Sequence, residues 1–113
     1  MLIYKIVPRS LWAAAAASGS FTGAPVDVAD GFIHFSTGAQ VRDTARLHFA
    51  GQDDLVLVAC DADALGAALR WEPSRGGALF PHLFAPLPVA AALSVMDLGL
   101  GADGAHTFPA DLA

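Results

Sequence analysis

Alternating and continuous apolar stretches predict six β-strands in this chain. The predicted strands cover 2–7, 32–35, 55–60, 69–72, 79–84 and 89–98. The stretch 55–60 is apolar at every position, which indicates a central strand buried on both faces. Pro81 interrupts 79–84, so we expect that strand at a sheet edge or a bulge. In 89–98 the alanines favour a helix, but the alternation of larger apolar residues favours the strand that we assign.

A first helix is predicted over 11–18, between the first two strands. Ser10 has the hydroxyl typical of a helix N-cap, and Gly19 stands where a left-handed residue would end the helix. We expect 20–29 to be a loop, because it holds a glycine and a proline and leads into a turn-forming Asp-Gly pair.

A second helix follows the second strand. Thr37 and Gln40 have the spacing of a capping box, in which each side chain accepts a hydrogen bond from a backbone N–H. The residues that we expect to face the core at helical spacing are Val41, Ala45, His48 and Phe49.

Strands outnumber helices in this order of elements, which predicts an α+β fold. Two short helices would pack on a mixed or antiparallel sheet. We expect a single domain over 1–98, since a chain of 113 residues fits one domain. The glycine-rich remainder, 99–113, is predicted to be a loose C-terminal tail.

Composition and charge narrow the classes of partner. The net charge of −5 disfavours a large nucleic acid, which needs a basic face, although one nucleotide remains compatible with it. No apolar stretch reaches the roughly 18 residues of a membrane span, and the first residues lack a signal-peptide pattern. The lone Cys60 cannot form an internal disulfide. We therefore expect a cytoplasmic protein with a small-molecule ligand and no membrane partner.

The stretch Asp30–Thr37 has the most candidate chemistry. His34 lies among apolar residues, where an imidazole can act as acid, base or hydrogen-bond donor. Ser36 and Thr37 add hydroxyls at the same strand end. The alternative is a core histidine satisfied by a backbone carbonyl, with Ser36 as a turn partner and Thr37 as the helix cap.

Two further stretches hold candidate residues. Trp71 next to Glu72 is compatible with a stacking surface beside a general base, or with a core indole and an outward carboxylate. His82 lies between bulky apolar residues, as a functional or a structural histidine. Together, His34, Glu72 and His82 would form a two-histidine, one-carboxylate metal set. Their spacing matches no compact ligand motif, so we expect no metal.

These stretches also resemble a known family. They are Ile3-Tyr4-Lys5-Ile6, Trp12, Asp30–Thr37 with Gln40 and Val41, the strand near Leu55, Leu69-Arg70-Trp71-Glu72 and Leu79–Phe84. On them, and over nearly the whole chain, the sequence is similar to the bacterial domain of unknown function 952 family. Phe84 stands where that family more often has tyrosine. The family itself implies no activity.

The same family is grouped with the ADP-ribosyltransferase-like fold, so the resemblance implies that fold. The comparison places His34 at the position of the tyrosine that stacks on nicotinamide. It places His82 near the position of a catalytic glutamate, whose negative charge a histidine does not supply. Glu72 would replace that charge only if it pointed into the same cleft.

The resemblance implies a ligand such as NAD or an ADP-ribose derivative. It implies a small enzyme or former transferase with His34, Glu72 and His82 as catalytic residues. The residues expected to bind the ligand are Lys5, Ser36, Thr37, Trp71 and Arg75. A phosphate-handling reaction, which that fold also includes, would instead use the basic groups of Lys5, His34, Arg75 and His82. Two alternatives remain, a non-catalytic module that binds a ligand or a protein, and a structural role in which both histidines are buried and satisfied.

Overall fold

The computed structural model describes residues 1–110 and 112, and of Arg75 it describes the backbone only. The strands are β1 (Leu2–Pro8), β2 (Ser20–Phe21), β3 (Ile33–His34), β4 (Ser36–Thr37), β5 (Leu55–Asp61), β6 (Leu69–Pro73), β7 (Leu79–Leu83), β8 (Leu87–Pro88) and β9 (Ala92–Leu98). The helices are α1 (Arg9–Ser18), α2 (Pro25–Asp30) and α3 (Val41–His48). Short 3-10 segments lie at Ala62–Ala68, Arg75–Gly77 and Val89–Ala91.

The strands form three antiparallel sheets. The largest has the order β4-β1-β5-β9, a second pairs β2 with β8, and a third has the order β3-β7-β6. This arrangement confirms the predicted α+β class with antiparallel pairing, but the described residues form three sheets and three α-helices where one sheet and two helices were predicted. No helix among the described residues is long and apolar enough to span a membrane.

Strand β5 lies at the centre of the largest sheet, as its apolar sequence predicts. On one face Val56, Val58 and Cys60 pack into a core that α1 closes with Trp12. On the other face Leu55, Leu57 and Ala59 pack against α3 through Val41 and Ala45. Because side chains alternate between the two faces of a strand, a strand that is apolar at every position contributes to the core on both faces of the sheet.

The predicted strand 32–35 divides between two sheets. Its first part, β3, pairs with β7, whereas β4 pairs with β1. The break falls at Phe35, whose N–H donates to the Pro81 carbonyl at 3.0 Å. Pro81 has no N–H to return, so the ladder ends there. The prediction that Pro81 marks an edge strand is wrong, because β7 is the central strand of its sheet.

The region 20–29 is not a loop throughout. It contains β2 and the short helix α2, which has Pro25 in its first turn. The Asp27 carboxylate accepts a hydrogen bond from the N–H of Ala24 at 2.8 Å, which satisfies one unpaired donor at the helix start. The sequence contained this signal, a proline followed two residues later by an aspartate.

The helix ends also differ from the sequence prediction. Helix α1 begins directly after Pro8 and has no side-chain cap, so Ser10 is not its N-cap. Gly19 ends α1 in the left-handed region, as predicted. Gln40 accepts from the Thr37 N–H at 3.0 Å, but α3 begins only after Gln40. His48 is exposed rather than buried, because it lies in the last turn of α3.

The proposed boundary between a domain over 1–98 and a loose tail stays a prediction. In the described part of that segment, Leu100 and His106 form an isolated antiparallel bridge. Phe108 and Leu112 pack against the core cluster beside α3.

Candidate functional site

A cavity of about 550 Å³ lies where the chain passes from β3 to β4, beside the open edge of β1. Its lining residues are Tyr4, Lys5, Ile6, Pro8, Ala24, Pro25, Val26, Asp30, His34, Phe35, Ser36, Thr44, His48, Phe49, Ser74, Phe80 and His82. Most of the exposed lining surface is apolar, and its polar groups come from β1, α2, β3, β4, α3 and β7 and from Ser74. This composition is typical of a small-molecule site.

Two histidines lie side by side on one wall of the cavity. His34 of β3 and His82 of β7 are directly paired across the two strands. Their ring centroids are 5.5 Å apart, with an angle of 66° between the ring planes. Phe32 stacks on His82 at 4.1 Å between ring centroids and fixes that ring from one side.

His82 is held by Glu72 of β6. Glu72 Oε1 lies 2.8 Å from His82 Nδ1. A carboxylate only accepts hydrogen bonds, so Nδ1 has the proton in this contact. Within the described residues no group is hydrogen-bonded to Nε2 of His82, which in the neutral ring leaves a lone pair there.

Asp27 of α2 is the buried acceptor of the site, with 2 % of its surface exposed. Its Oδ1 lies 2.7 Å from His34 Nδ1, and it also accepts from the His34 N–H at 3.1 Å. Lys5 donates to the same oxygen at 3.0 Å. The carboxylate therefore joins β1, α2 and β3, the three elements on one side of the cavity.

These contacts lower the pKa of Asp27. Burial alone would raise that pKa, but the hydrogen bond from His34 and the charge of Lys5 outweigh burial. Backbone N–H groups add to the effect, and the pKa falls from 3.8 to about 2. Asp27 is thus a fixed negative charge in the folded protein.

Lys5 is the buried cation of the site. It has 6 % of its surface exposed and lies on β1. Burial lowers the pKa of its amine, and the adjacent Asp27 carboxylate opposes that shift. An ammonium group has three N–H donors, and Asp27 accepts from one of them.

His34 also contacts a second carboxylate. Its Nε2 lies 3.0 Å from Asp30 Oδ2, at the C-terminal end of α2. The Asp30 side chain is half exposed, in contrast to that of Asp27. Because neither carboxylate can donate, His34 makes both hydrogen bonds only when both ring nitrogens are protonated.

The open edge of β1 adds backbone groups to the cavity. The Arg9 N–H donates to the Asp54 carbonyl at 2.9 Å, on the β5 side of β1. Along a strand, successive residues direct their backbone N–H and C=O groups to opposite edges. Ile6 lies three positions from Arg9, so the backbone groups of Ile6 point away from β5. There β4 pairs with β1 only at Ile3 and Tyr4. In the described structure the N–H and C=O of Ile6 therefore lack a strand partner.

The predicted site residues fall into three groups. The structure brings together His34, His82, Glu72, Lys5 and Ser36, and the Ser36 hydroxyl lies 2.8 Å from that of Thr44. Thr37 and Trp71 are absent from the cavity lining among the described residues. Trp71 is 38 % exposed and alternates with Glu72, so it belongs to the opposite face of β6. The side chain of Arg75 lies outside what the structure describes.

No group of three His, Cys, Asp or Glu side chains could hold a metal ion within residues 1–110 and 112. His34, Glu72 and His82 lie near one another, but each histidine has its Nδ1 hydrogen-bonded to a carboxylate. The set is therefore arranged as imidazole–carboxylate pairs.

Sequence reasoning missed Asp27 as a site residue, because it lay in a predicted loop. Its partners Lys5 and His34 are 22 and 7 positions away. The available signal was local, since an aspartate two residues after Pro25 is typical of a first helical turn.

Comparison with known proteins agrees with the resemblance. The model of a family described as "Protein of unknown function (DUF952)" matches residues 6–95. The chain belongs to the DUF952 family. No curated protein matches this chain.

Solved structures of one bacterial protein are similar to this fold. The crystal structure of protein CC0527 from Caulobacter crescentus has 53% sequence identity and a TM-score of 0.92, and the match covers 95% of this chain and 94% of that chain. The solution NMR structure of CC0527 has 55% identity and a TM-score of 0.84, with 92% and 90% covered. The likeness extends over nearly the whole DUF952 chain.

Proposed function

We propose that this DUF952 protein binds a nucleotide of the NAD or ADP-ribose type in the cavity, and that His82 exchanges a proton with it. The observation that carries the proposal is the His82–Glu72 pair on the cavity wall. Glu72 holds Nδ1 at 2.8 Å, and Nε2 has no hydrogen-bond partner among the described residues. An imidazole in this arrangement is suited to general acid–base chemistry.

The shape and lining of the cavity support a ligand of this size. Ligand sites commonly have volumes of about 300–1,000 Å³, and this cavity of about 550 Å³ lies within that range. The N–H and C=O of Ile6 would pair with an amide group of the ligand, since unpaired buried backbone groups need a partner. Lys5 has two further N–H donors for an anionic or carbonyl group. The sequence resemblance to the ADP-ribosyltransferase-like fold is the reason for proposing a nucleotide as the class of ligand.

The position of Glu72 favours proton exchange over ADP-ribosyl transfer, the reaction typical of the ADP-ribosyltransferase-like fold. A transferase glutamate would face the ligand to stabilise positive charge on the ribose. Here Glu72 is hydrogen-bonded to His82 and is not among the lining residues. The reaction that fits best is one at phosphate or at a hydroxyl, with His82 as general base.

A binding module without chemistry is the second candidate. It is favoured by His34, because both nitrogens of that ring already face carboxylates at 2.7 and 3.0 Å. This candidate predicts saturable binding of the same nucleotide and no product.

The test is an amide NMR titration with NAD, and then with ADP-ribose. We expect saturable shifts at Ile6, at 32–36 and at 80–83, and products in the 31P spectrum on long incubation. His82→Gln should bind and form no product, whereas the control His106→Gln should behave as wild type. Binding without product supports the binding module. No saturable shift at these segments with either ligand overturns the proposal.

A further inference from the structure

The two histidines of the wall have the same kind of partner at Nδ1. His34 has a carboxylate oxygen of Asp27 at 2.7 Å from its Nδ1, and His82 has one of Glu72 at 2.8 Å from its Nδ1. Both carboxylates come from a neighbouring element, and the two residues are paired in register. The cavity wall thus has two imidazole–carboxylate dyads, and in both of them the carboxylate faces the Nδ1 atom of the histidine.

We infer that Asp27 is a positioning residue that makes His34 a second proton-transfer group, so that the wall holds a general acid and a general base together. Asp27 fixes the Nδ1 proton of His34, so the atom that gains or loses a proton is Nε2, whose partner Asp30 has a half-exposed side chain. The Asp27 carboxylate is held in turn by Lys5 and by the N–H of Ala24. It cannot turn away from the ring without leaving these donors unpaired.

Asp30 identifies the acid of the pair. Its carboxylate, 3.0 Å from His34 Nε2, can only accept a hydrogen bond, so in this contact His34 Nε2 is the donor. The charged and titratable groups that face His34 are Asp27 and Asp30 of α2, Lys5 of β1 through Asp27, and His82 of β7. No corresponding second carboxylate contacts His82 in the described chain, so His82 is the base.

Such a pair suits cleavage of a phosphodiester in a nucleotide, an assignment that rests on the proposed function. Water loses a proton to His82 Nε2 as its oxygen bonds to phosphorus. The bond from phosphorus to a ribose oxygen breaks, and that oxygen takes the proton from His34 Nε2. Solvent then removes the proton from His82 and returns one to His34, which restores both rings.

The first experiment needs no ligand. Ring 15N shifts at pH 8.5 show which nitrogen of each neutral histidine carries the proton. We expect Nδ1 for His34 and for His82. His106 is the internal reference for the opposite result, since its Nε2 lies 2.8 Å from the Gln52 carbonyl, which only accepts. A neutral His34 with its proton on Nε2 and none on Nδ1 in the wild-type protein overturns the inference.

Variants connect the dyads to the reaction, with 2′,3′-cyclic AMP as the probe. Wild type should hydrolyse it, and Asp27→Asn and Glu72→Gln should each lose about 100-fold of that rate. Asp30→Asn should change the alkaline limb of the pH–rate profile, where the general acid loses its proton, and His106→Gln should change nothing. If NAD binds but the probe is not hydrolysed, the acid–base pair is overturned and the proposed binding stands. If NAD does not bind but the probe is hydrolysed through both dyads, only the proposed ligand class fails.

Discussion

Glu72 contacts His82 across β6 and β7 although the two residues are not directly paired. In the strand register Glu72 lies opposite Phe80, two residues from His82, so the pair is a diagonal one on a single face of the sheet. The 2.8 Å contact closes one side of the cavity wall, and Phe32 closes another side by stacking on the same ring.

A double-mutant cycle with Glu72→Ala and His82→Phe measures this contact. We expect a coupling free energy of about 1 kcal/mol, because the hydrogen bond includes a charge but Glu72 is partly exposed. Chemical denaturation of the four proteins gives the value. The matched cycle, Asp43→Ala with Arg46→Ala, removes a fully surface pair on α3 and should give at most about 0.5 kcal/mol. Equal couplings in the two cycles would show that Glu72 does not hold His82.

Acid stability should depend on Asp27. Its pKa in the folded protein, about 2, lies below the ordinary value of 3.8. The carboxylate therefore contributes stability above pH 3.8, and this contribution is lost as the pH falls through about 2. The difference of nearly two pH units corresponds to about 2 kcal/mol.

The measurement is the free energy of unfolding of wild type and Asp27→Asn from pH 6 to pH 2. The gap between the two proteins should narrow by about 2 kcal/mol towards pH 2. Asp30→Asn is the control, since its carboxylate is half exposed and contacts the same imidazole. A gap that stays constant over this range would contradict the role of Asp27.

Parts of the fold were predictable because their signals are local. A strand that is apolar at every position, such as β5, must be buried on both faces in any sheet. Gly19 ends α1 at φ 91°, a backbone conformation that glycine adopts readily. The shift at Phe35 from one sheet to another was not predictable. It depends on the missing N–H of Pro81, a residue that meets Phe35 only after β3 and β7 have paired.

The candidate site was predictable only in part for the same reason. His34, Glu72 and His82 were identifiable as residue types among apolar neighbours. These three residues come together only through the register of β3, β7 and β6, and no local sequence pattern predicts that register. Trp71, predicted to line the site, falls on the other face of β6 by simple alternation once that strand's orientation is set.

Cys60 should be inert in the folded protein. It lies on β5 with no exposed surface, and burial raises the pKa of its thiol to about 11. At pH 8 only about one thiol in a thousand would then be ionised. Alkylation by iodoacetamide, followed by mass spectrometry, should be at least about 100-fold slower in buffer than in denaturant. Comparable rates would show that β5 opens readily or that the thiol is accessible.

Gly23 and Gly31, which flank α2, should differ sharply in their tolerance of alanine. Both have positive φ, 117° and 85°, so each substitution costs about 1 kcal/mol in backbone strain. A Cβ at Gly31 meets nothing within 4 Å, whereas one at Gly23 would lie 2.8 Å from the Cβ of Asp27. The Asp27 side chain cannot move away from the added methyl group without breaking the hydrogen bonds of its carboxylate with Lys5 and the His34 ring.

We therefore expect Gly23→Ala to cost about 1–3 kcal/mol more than Gly31→Ala in chemical denaturation. It should also shift the His34 ring signals, because the clash displaces the carboxylate that fixes that ring. Gly31→Ala should leave those signals near their wild-type positions, since the added methyl group has open space. If both variants lose the same stability and leave His34 unchanged, α2 accommodates the methyl group by moving, and Asp27 does not fix the wall of the cavity.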